Sequence, residues 1–213
     1  MIVGRARHAP SGLWFPDNCN ADAGFEYMIR RVTDIDVALP HCWKKAVAVQ
    51  AGGNVGLWPR RLAKHFELVH TFEPVPYIRA CLVENVRHLP QVIVHDALLS
   101  DEPKKRVPFK FRKGGTSRVV ETLDDSGGIF AESTTIDSLK LSTCDALFLD
   151  VEGHELEVLA GAEETIEKYN PLITVEVWDC DDTRERYRLW FEMRGYTQVA
   201  RVHSDFTYSR RKT

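Results

Sequence analysis

The chain has 213 residues, 44% of them hydrophobic and 28% charged, which is the make-up of a soluble globular protein large enough to bury a substantial core. A formal net charge of −3 supplies no broad attraction to nucleic acid or an anionic membrane, so the basic stretches 104–106 and 210–212 read as a solvated loop and tail. Five cysteines (Cys19, Cys42, Cys81, Cys144 and Cys180) lack CxxC spacing and are odd in number, which disfavours a disulfide framework or zinc site and favours a reducing, cytoplasmic setting.

No basic stretch leads into an apolar run at the N-terminus, and no segment reaches the ~20 apolar residues of a membrane span. Residues 1–44 contain Pro10, Gly12, Trp14, Pro16, Asp17 and Pro40, with periodicity only for a short helix about 25–31. They read as an N-terminal extension, a candidate substrate cap, ahead of one domain at 45–213. From there strand and helix signals alternate: strand 46–49, helix 58–66, strand 68–72, helix 77–85, strand 92–95. Such alternation builds βαβ units around a parallel sheet. An irregular insertion follows at about 100–139, with strand-like alternation at 107–112 and glycines at 114, 115, 127 and 128. Long irregular stretches inside a compact domain are usually functional.

The apolar run 146–149 predicts a strand buried on both faces, ending at Asp150. Leu156, Leu159, Ala160 and Ile166 then recur three to four apart, predicting an amphipathic helix from Glu155 onward. A strand at 172–177 follows Asn170-Pro171, a helix at about 184–194 stops at Gly195, and 196–202 with 206–209 predicts a closing hairpin. The fold class is therefore α/β, with seven strands in a mostly parallel sheet and an antiparallel hairpin at its C-terminal end.

Three strand ends carry candidate chemistry. The first runs into Gln50-Ala51-Gly52-Gly53-Asn54-Val55-Gly56, where glycines allow positive φ and close backbone approach to a ligand. Ala51 breaks a GxGxxG register, and no Gly-Lys-Ser/Thr follows, so neither a dinucleotide fingerprint nor a P-loop fits. Glu73 ends the second strand 21 residues after Gly52 (73 − 52), about the ~20 expected of an acid that binds ribose hydroxyls. Asp96, closing the third strand beside Ala97, can accept a hydrogen bond from an exocyclic amine such as adenine's. The plain alternatives are a tight turn for the glycines and a surface carboxylate for Asp96.

The densest cluster is Asp150-Val151-Glu152-Gly153-His154-Glu155 at a strand-to-helix junction, where open parallel sheets bind ligands. Helix capping and dipole complementation are the structural alternative, strongest for Glu155 and Glu157.

These residues resemble the FkbM-type methyltransferases, a family of S-adenosylmethionine-dependent enzymes with a doubly wound, Rossmann-like fold. The resemblance covers about 45–200. Gln50, Gly52, Gly53, Asn54 and Gly56 match its first motif, Phe72-Glu73-Pro74 its second, and Asp150, Glu152, Gly153, Glu155, Leu159, Gly161, Ala162, Pro171 and Glu176 its most specific stretch. Gln50 stands where the family usually has an acid, and Gly53 where it has alanine. The resemblance implies methyl transfer from S-adenosylmethionine to an oxygen, commonly a hydroxyl on a sugar or other small molecule. It implies that Gln50, Gly52, Gly53, Asn54 and Gly56 cradle the cofactor, Glu73 binds its ribose, Asp96 and Ala97 face the adenine, and Asp150 lies near the sulfonium.

A hydroxyl acceptor must lose its proton, and His154, with an unperturbed pKa near ~6.5, is the first candidate base, ahead of Asp150. Glu152 completes the candidate catalytic set. No metal is assigned, although Asp150, Glu152 and Glu176 offer hard oxygen ligands for a divalent cation. Residues at about 113–133 and the aromatic pair Trp14 and Phe15 are candidates for the acceptor pocket. A serine-hydrolase reading lacks its G-x-S-x-G. The rivals are a non-catalytic S-adenosylmethionine-binding regulator, supported only by Gln50, and a nucleotide or nucleic-acid methyltransferase, which a basic groove beside the Asp150 turn would favour.

Overall fold

The computed structural model describes residues 5–8, 11–16, 21–111, 117–123, 128–178 and 181–210. Its centre is a seven-stranded sheet whose strands, numbered along the chain, are β1 (Val47–Ala51), β2 (Leu68–Phe72), β3 (Val92–His95), β4 (Ala146–Leu149), β5 (Leu172–Glu176), β6 (Tyr196–Val202) and β7 (Asp205–Arg210). The spatial order is 3-2-1-4-5-7-6. β1 to β5 run parallel, and β7 inserts antiparallel between β5 and β6. The chain leaves β1 towards β2 on one side and later returns to β4 on the other, so the switch point lies between the carboxyl ends of β1 and β4. Ligands of doubly wound sheets bind there.

Alternate strand residues feed opposite faces. Val49, Leu147, Leu149 and Val175 pack against Val158, Leu159 and Ile166 and against Tyr187 and Phe191 of the helix Asp181–Met193. Ala48, Val69, Ala146 and Phe148 pack against Leu62, Phe66, Ile35 and Leu39. Apolar side chains on both faces explain why these strands read as continuous hydrophobic runs. None of the helices among the described residues is long and apolar enough to cross a membrane.

The amphipathic signal from Glu155 is divided between two helices, Glu155–Ala160 and Glu163–Tyr169. Gly161 lies at the break because the inserted segment docks there: a Cβ on it would sit 2.0 Å from the Ser100 carbonyl oxygen. Asp137 then caps the second helix, accepting from the Glu164 and Thr165 amides at 3.0 and 2.8 Å. The helix expected at 58–66 is shorter, Leu57–Leu62.

The stretch expected to be an irregular insertion contains a three-stranded antiparallel sheet, Val107–Phe111 flanked by Ser117–Val119 and Ile129–Ala131. Leu98–Leu99 pairs in parallel with Ser133–Thr134. The N-terminal extension is also built, as a hairpin of Arg5–His8 with Leu13–Pro16 followed by the helix Ala21–Arg31. Its anchor is Asn85, which accepts from the Trp14 amide at 2.7 Å and donates to the Trp14 carbonyl at 2.8 Å. Phe15 is buried with Ile78, Cys81, Val107 and Phe109, so this pair holds the extension onto the domain and lines neither cavity described below. Cys42, Cys81 and Cys144 are buried free thiols; Cys19 and Cys180 lie outside the described residues, as do Gly114, Gly115 and Gly127.

Candidate functional site

The glycine loop closes directly over the carboxyl end of β4. Gly52 has φ +82°, and a Cβ there would lie 1.9 Å from the Asp150 carbonyl oxygen, so only glycine permits this approach. Gly53 donates to the Phe72 carbonyl at 2.7 Å and has Thr71 and Leu82 where a Cβ would go. That crowding explains a glycine where the resembled motif carries alanine.

Gln50 is fully buried beneath this loop. Its Nε2 donates to the carbonyls of Ala51 and Gly52, both at 2.9 Å, and its Oε1 accepts from the Thr71 hydroxyl. It is absent from the cavity wall and braces the loop from beneath. A carboxylate cannot donate to those two carbonyls, which is the physical content of glutamine at this position.

Glu73 links the loop to the helix Pro76–Val86. One carboxylate oxygen accepts from the Asn54 amide at 2.9 Å and the other from the Val75 amide at 2.8 Å. Burial pushes its pKa up to about 7 despite those bonds. Asp96 is 71% exposed and pairs with Arg79 at 2.6 Å. Arg79 in turn donates to the Glu73 and Pro74 carbonyls at 2.9 and 3.0 Å, so Asp96 acts on Glu73 through Arg79. Neither Asp96 nor Ala97 lines the cavity; Leu98 and Leu99 do.

That cavity runs from Glu73 to Asp150 across the switch point. Phe72, Ile78, Leu98, Leu99 and Phe109 give it an apolar wall beside Gly52, Gly53 and Asn54. Asp150, Glu152, Glu176 and Asp205 form the acidic end, with Tyr27, Met28 and Arg31 from the N-terminal helix alongside. Carboxylate oxygens of Asp150, Glu152 and Glu176 all lie within 4.8 Å of one another. Burial, then the charges of Glu176, Asp205, Glu152 and Glu155, raises the Asp150 pKa well above the ordinary carboxylate range. Burial likewise pushes Asp205 up to about 7, although Arg31 donates to it at 3.3 Å. So many acids around one space suit a cationic group or a divalent metal ion.

His154 lies in the same wall; its Nε2 is 3.0 Å from the Ser100 hydroxyl, whereas its Nδ1 is 3.6 Å from Glu157, beyond hydrogen-bond distance. Burial lowers its pKa. Glu155 faces inward, accepting from the Val151 and Gly153 amides at 3.0 and 3.3 Å and from the Tyr187 hydroxyl at 2.6 Å. It thereby fixes the turn in which Glu152 and Gly153 take φ +58° and +97°.

Asp205, Arg31 and Tyr187 carry no local sequence signal for these positions. Asp205 reaches the site because β7 pairs with β5 and places it opposite Glu176. Only strand order could have revealed it.

Comparison with known structures agrees with the fold. A methyltransferase FkbM from Methylobacillus flagellatus superposes with a TM-score of 0.59 at 15% identity, over 78% of this chain and 43% of that one. The chain therefore spans less than half the length of that FkbM structure. A ribosomal protein L11 methylase from Lactobacillus delbrueckii gives a TM-score of 0.53 at 7% identity, covering 87% of this chain and 80% of that one. Magnesium protoporphyrin IX methyltransferase from Synechocystis, determined with S-adenosylmethionine bound, gives 0.50 at 12% identity, covering 89% and 81%. No curated protein sequence matches the chain. The methyltransferase FkbM domain profile matches residues 50–197, spanning the glycine loop, Glu73 and the Asp150 turn, and the chain belongs to that family.

Proposed function

We propose that this protein is an S-adenosylmethionine-dependent methyltransferase acting on a hydroxyl of a sugar or similar small molecule. The observation that carries the reading is the polarity of the switch-point cavity. Its apolar wall suits a purine, the buried Glu73 carboxylate suits ribose hydroxyls, and the acids around Asp150 suit the positive sulfonium and ammonium groups. When bound, S-adenosylmethionine supplies a methyl group already activated by its cationic sulfur.

The protein's share of the chemistry is alignment and proton removal. Gly52, Gly53 and Asn54 bring main chain to the cavity, and Gln50 holds the loop from beneath. Asp150 is the base of this reading, because its raised proton affinity makes its carboxylate a stronger acceptor of a hydroxyl proton than an ordinary aspartate. Burial and the charges of Glu176 and Asp205 keep that affinity high, and Glu152 in the same cavity wall adds to them. His154 is the second candidate base: its Nε2 meets the Ser100 hydroxyl, and its Nδ1 stands 3.6 Å from Glu157.

Calorimetry with S-adenosylmethionine and S-adenosylhomocysteine, followed by transfer of a labelled methyl group to a panel of sugars and glycosides, tests this. Binding with transfer to a hydroxyl is the expected result. Tight binding without turnover on any acceptor would leave a regulator, and no binding would remove the reading altogether.

A further inference from the structure

A second, wider cavity of about 810 Å³ adjoins the first and shares Val119, Glu152 and His154 with it. The inserted sheet forms one wall and the helix Asp181–Met193 contributes to the other. We propose that this groove is the acceptor site, and that it selects a hydroxylated molecule of sugar size carrying an oxyanion, phosphate foremost. The proposal deepens the methyltransferase reading and rests on it for the identity of the neighbouring cavity.

Arg106, Arg118 and Arg186 line the groove; Arg106 lies over the Phe130 ring at 4.1 Å, and among the described residues none of the three makes an ion pair. Lys104 also lines it but is already paired to Glu102 at 2.7 Å. Two of the acids in the same wall are less available. Glu155 is turned inward onto Tyr187 and Glu152 belongs also to the acidic cavity, leaving Glu121 and Glu157 as the acids of the open part. Guanidinium groups are the side chains best suited to bind phosphate or carboxylate through paired hydrogen bonds.

An aromatic surface completes the site. The Trp178 indole, 42% exposed, lines the groove just past the end of β5 and can stack on a sugar ring. An oxyanion on the arginines would hold the remainder of such a molecule toward Glu152 and His154, where the two cavities meet. The acids on the cofactor side and the arginines on the acceptor side thus sort cationic donor from anionic acceptor.

The test is binding of glucose, glucuronate and glucose-6-phosphate to the full chain, with and without S-adenosylhomocysteine, by calorimetry at two salt concentrations. The phosphate ester should bind at least about tenfold tighter than glucose, the advantage expected of charge-assisted hydrogen bonds, and weaken as salt rises. Arg118→Gln with Arg186→Gln should erase that advantage and leave thermal unfolding unchanged. A larger gain for glucuronate would support the oxyanion site with carboxylate as its preferred group. Equal binding of glucose and its phosphate, or no salt dependence, overturns the proposal. So does tighter binding of a short single-stranded oligoribonucleotide, which would assign the groove to a polymer. Because the sugar measurements are also made without S-adenosylhomocysteine, failure of the cofactor to bind would be seen separately: it would count against the methyltransferase reading and the groove's role as acceptor site, while the oxyanion preference is read on its own.

Discussion

Glu73 makes the electrostatics of the switch-point cavity measurable without any ligand. Its carboxyl is buried, and its pKa rises from the ordinary 4.5 to about 7. Between those values the folded chain holds a proton that the unfolded chain has released, so stability falls as pH rises through that window. At about 1.4 kcal/mol for each tenfold in proton affinity, the loss is on the order of 3 kcal/mol, complete above pH 7. Substituting Glu73→Gln removes this dependence. It also leaves one of the two amides, of Asn54 or Val75, facing an NH2 group, at a pH-independent cost of about 1–3 kcal/mol. The variant should therefore be less stable than the parent at pH 5 and of equal or greater stability at pH 8. Urea unfolding of both proteins across that range, without cofactor, gives the difference directly. Using the difference matters because His70, His95 and His154, whose pKa values burial lowers, act in the opposite sense, adding stability as pH rises through the range near 4 to 6.5. A difference between variant and parent that stays constant from pH 5 to 8 would refute the account of Glu73 as a buried carboxylate with raised proton affinity.

The other expectations concern the loop and the turn. Gln50→Glu replaces two donated hydrogen bonds with carboxylate–carbonyl repulsion in a fully buried position, and should cost about 3 kcal/mol or more in urea unfolding. Gly52→Ala forces the loop off β4, because its Cβ would lie 1.9 Å from the Asp150 carbonyl; calorimetry should show loss of S-adenosylhomocysteine binding, and retained affinity would contradict the close approach. Tyr187→Phe removes the buried bond to Glu155 and should destabilise the fold by about 1.5–3 kcal/mol, read by thermal or urea unfolding. Asp150→Asn should reduce labelled methyl transfer by about 100-fold or more, while parent turnover rises with pH as Asp150 ionises. A variant that kept its rate and its pH profile would remove Asp150 as the base.

The central strands were legible because each carries its own signal. β4 is a short apolar run, β2 and β3 are runs rich in β-branched and aromatic residues, and the structure places all three where those runs lie. The insertion was not, since its strands Ser117–Val119 and Ile129–Ala131 are three residues each and gain their partners only through Val107–Phe111. Three residues are too few for an alternating pattern to stand out. The split of the helix at Gly161 was hidden for a related reason: the residue that makes the break useful is Ser100, 61 positions earlier (161 − 100).

Side-chain roles divided along the same line. Glu73 and Asp150 could be placed at the switch point because a strand end fixes where its last residue lies. Gln50, Asp96 and His154 sit as close in sequence to the same place, and what the sequence could not carry is the protein partner each has, as Glu73 also does. Gln50 is the sharpest case. A glutamine at a motif position usually held by an acid reads, from composition alone, as a weakened cofactor contact. Its two donated bonds to Ala51 and Gly52 show a different use of the position, in which the side chain holds loop carbonyls that an acid would repel. The acidity this places outside the loop is matched elsewhere: Glu176 and Asp205 are opposite one another across β5 and β7, beside Asp150, so negative charge at the switch point comes from the far half of the sheet. Cofactor binding in this chain should therefore depend on the β5–β7 pairing as well as on the glycine loop.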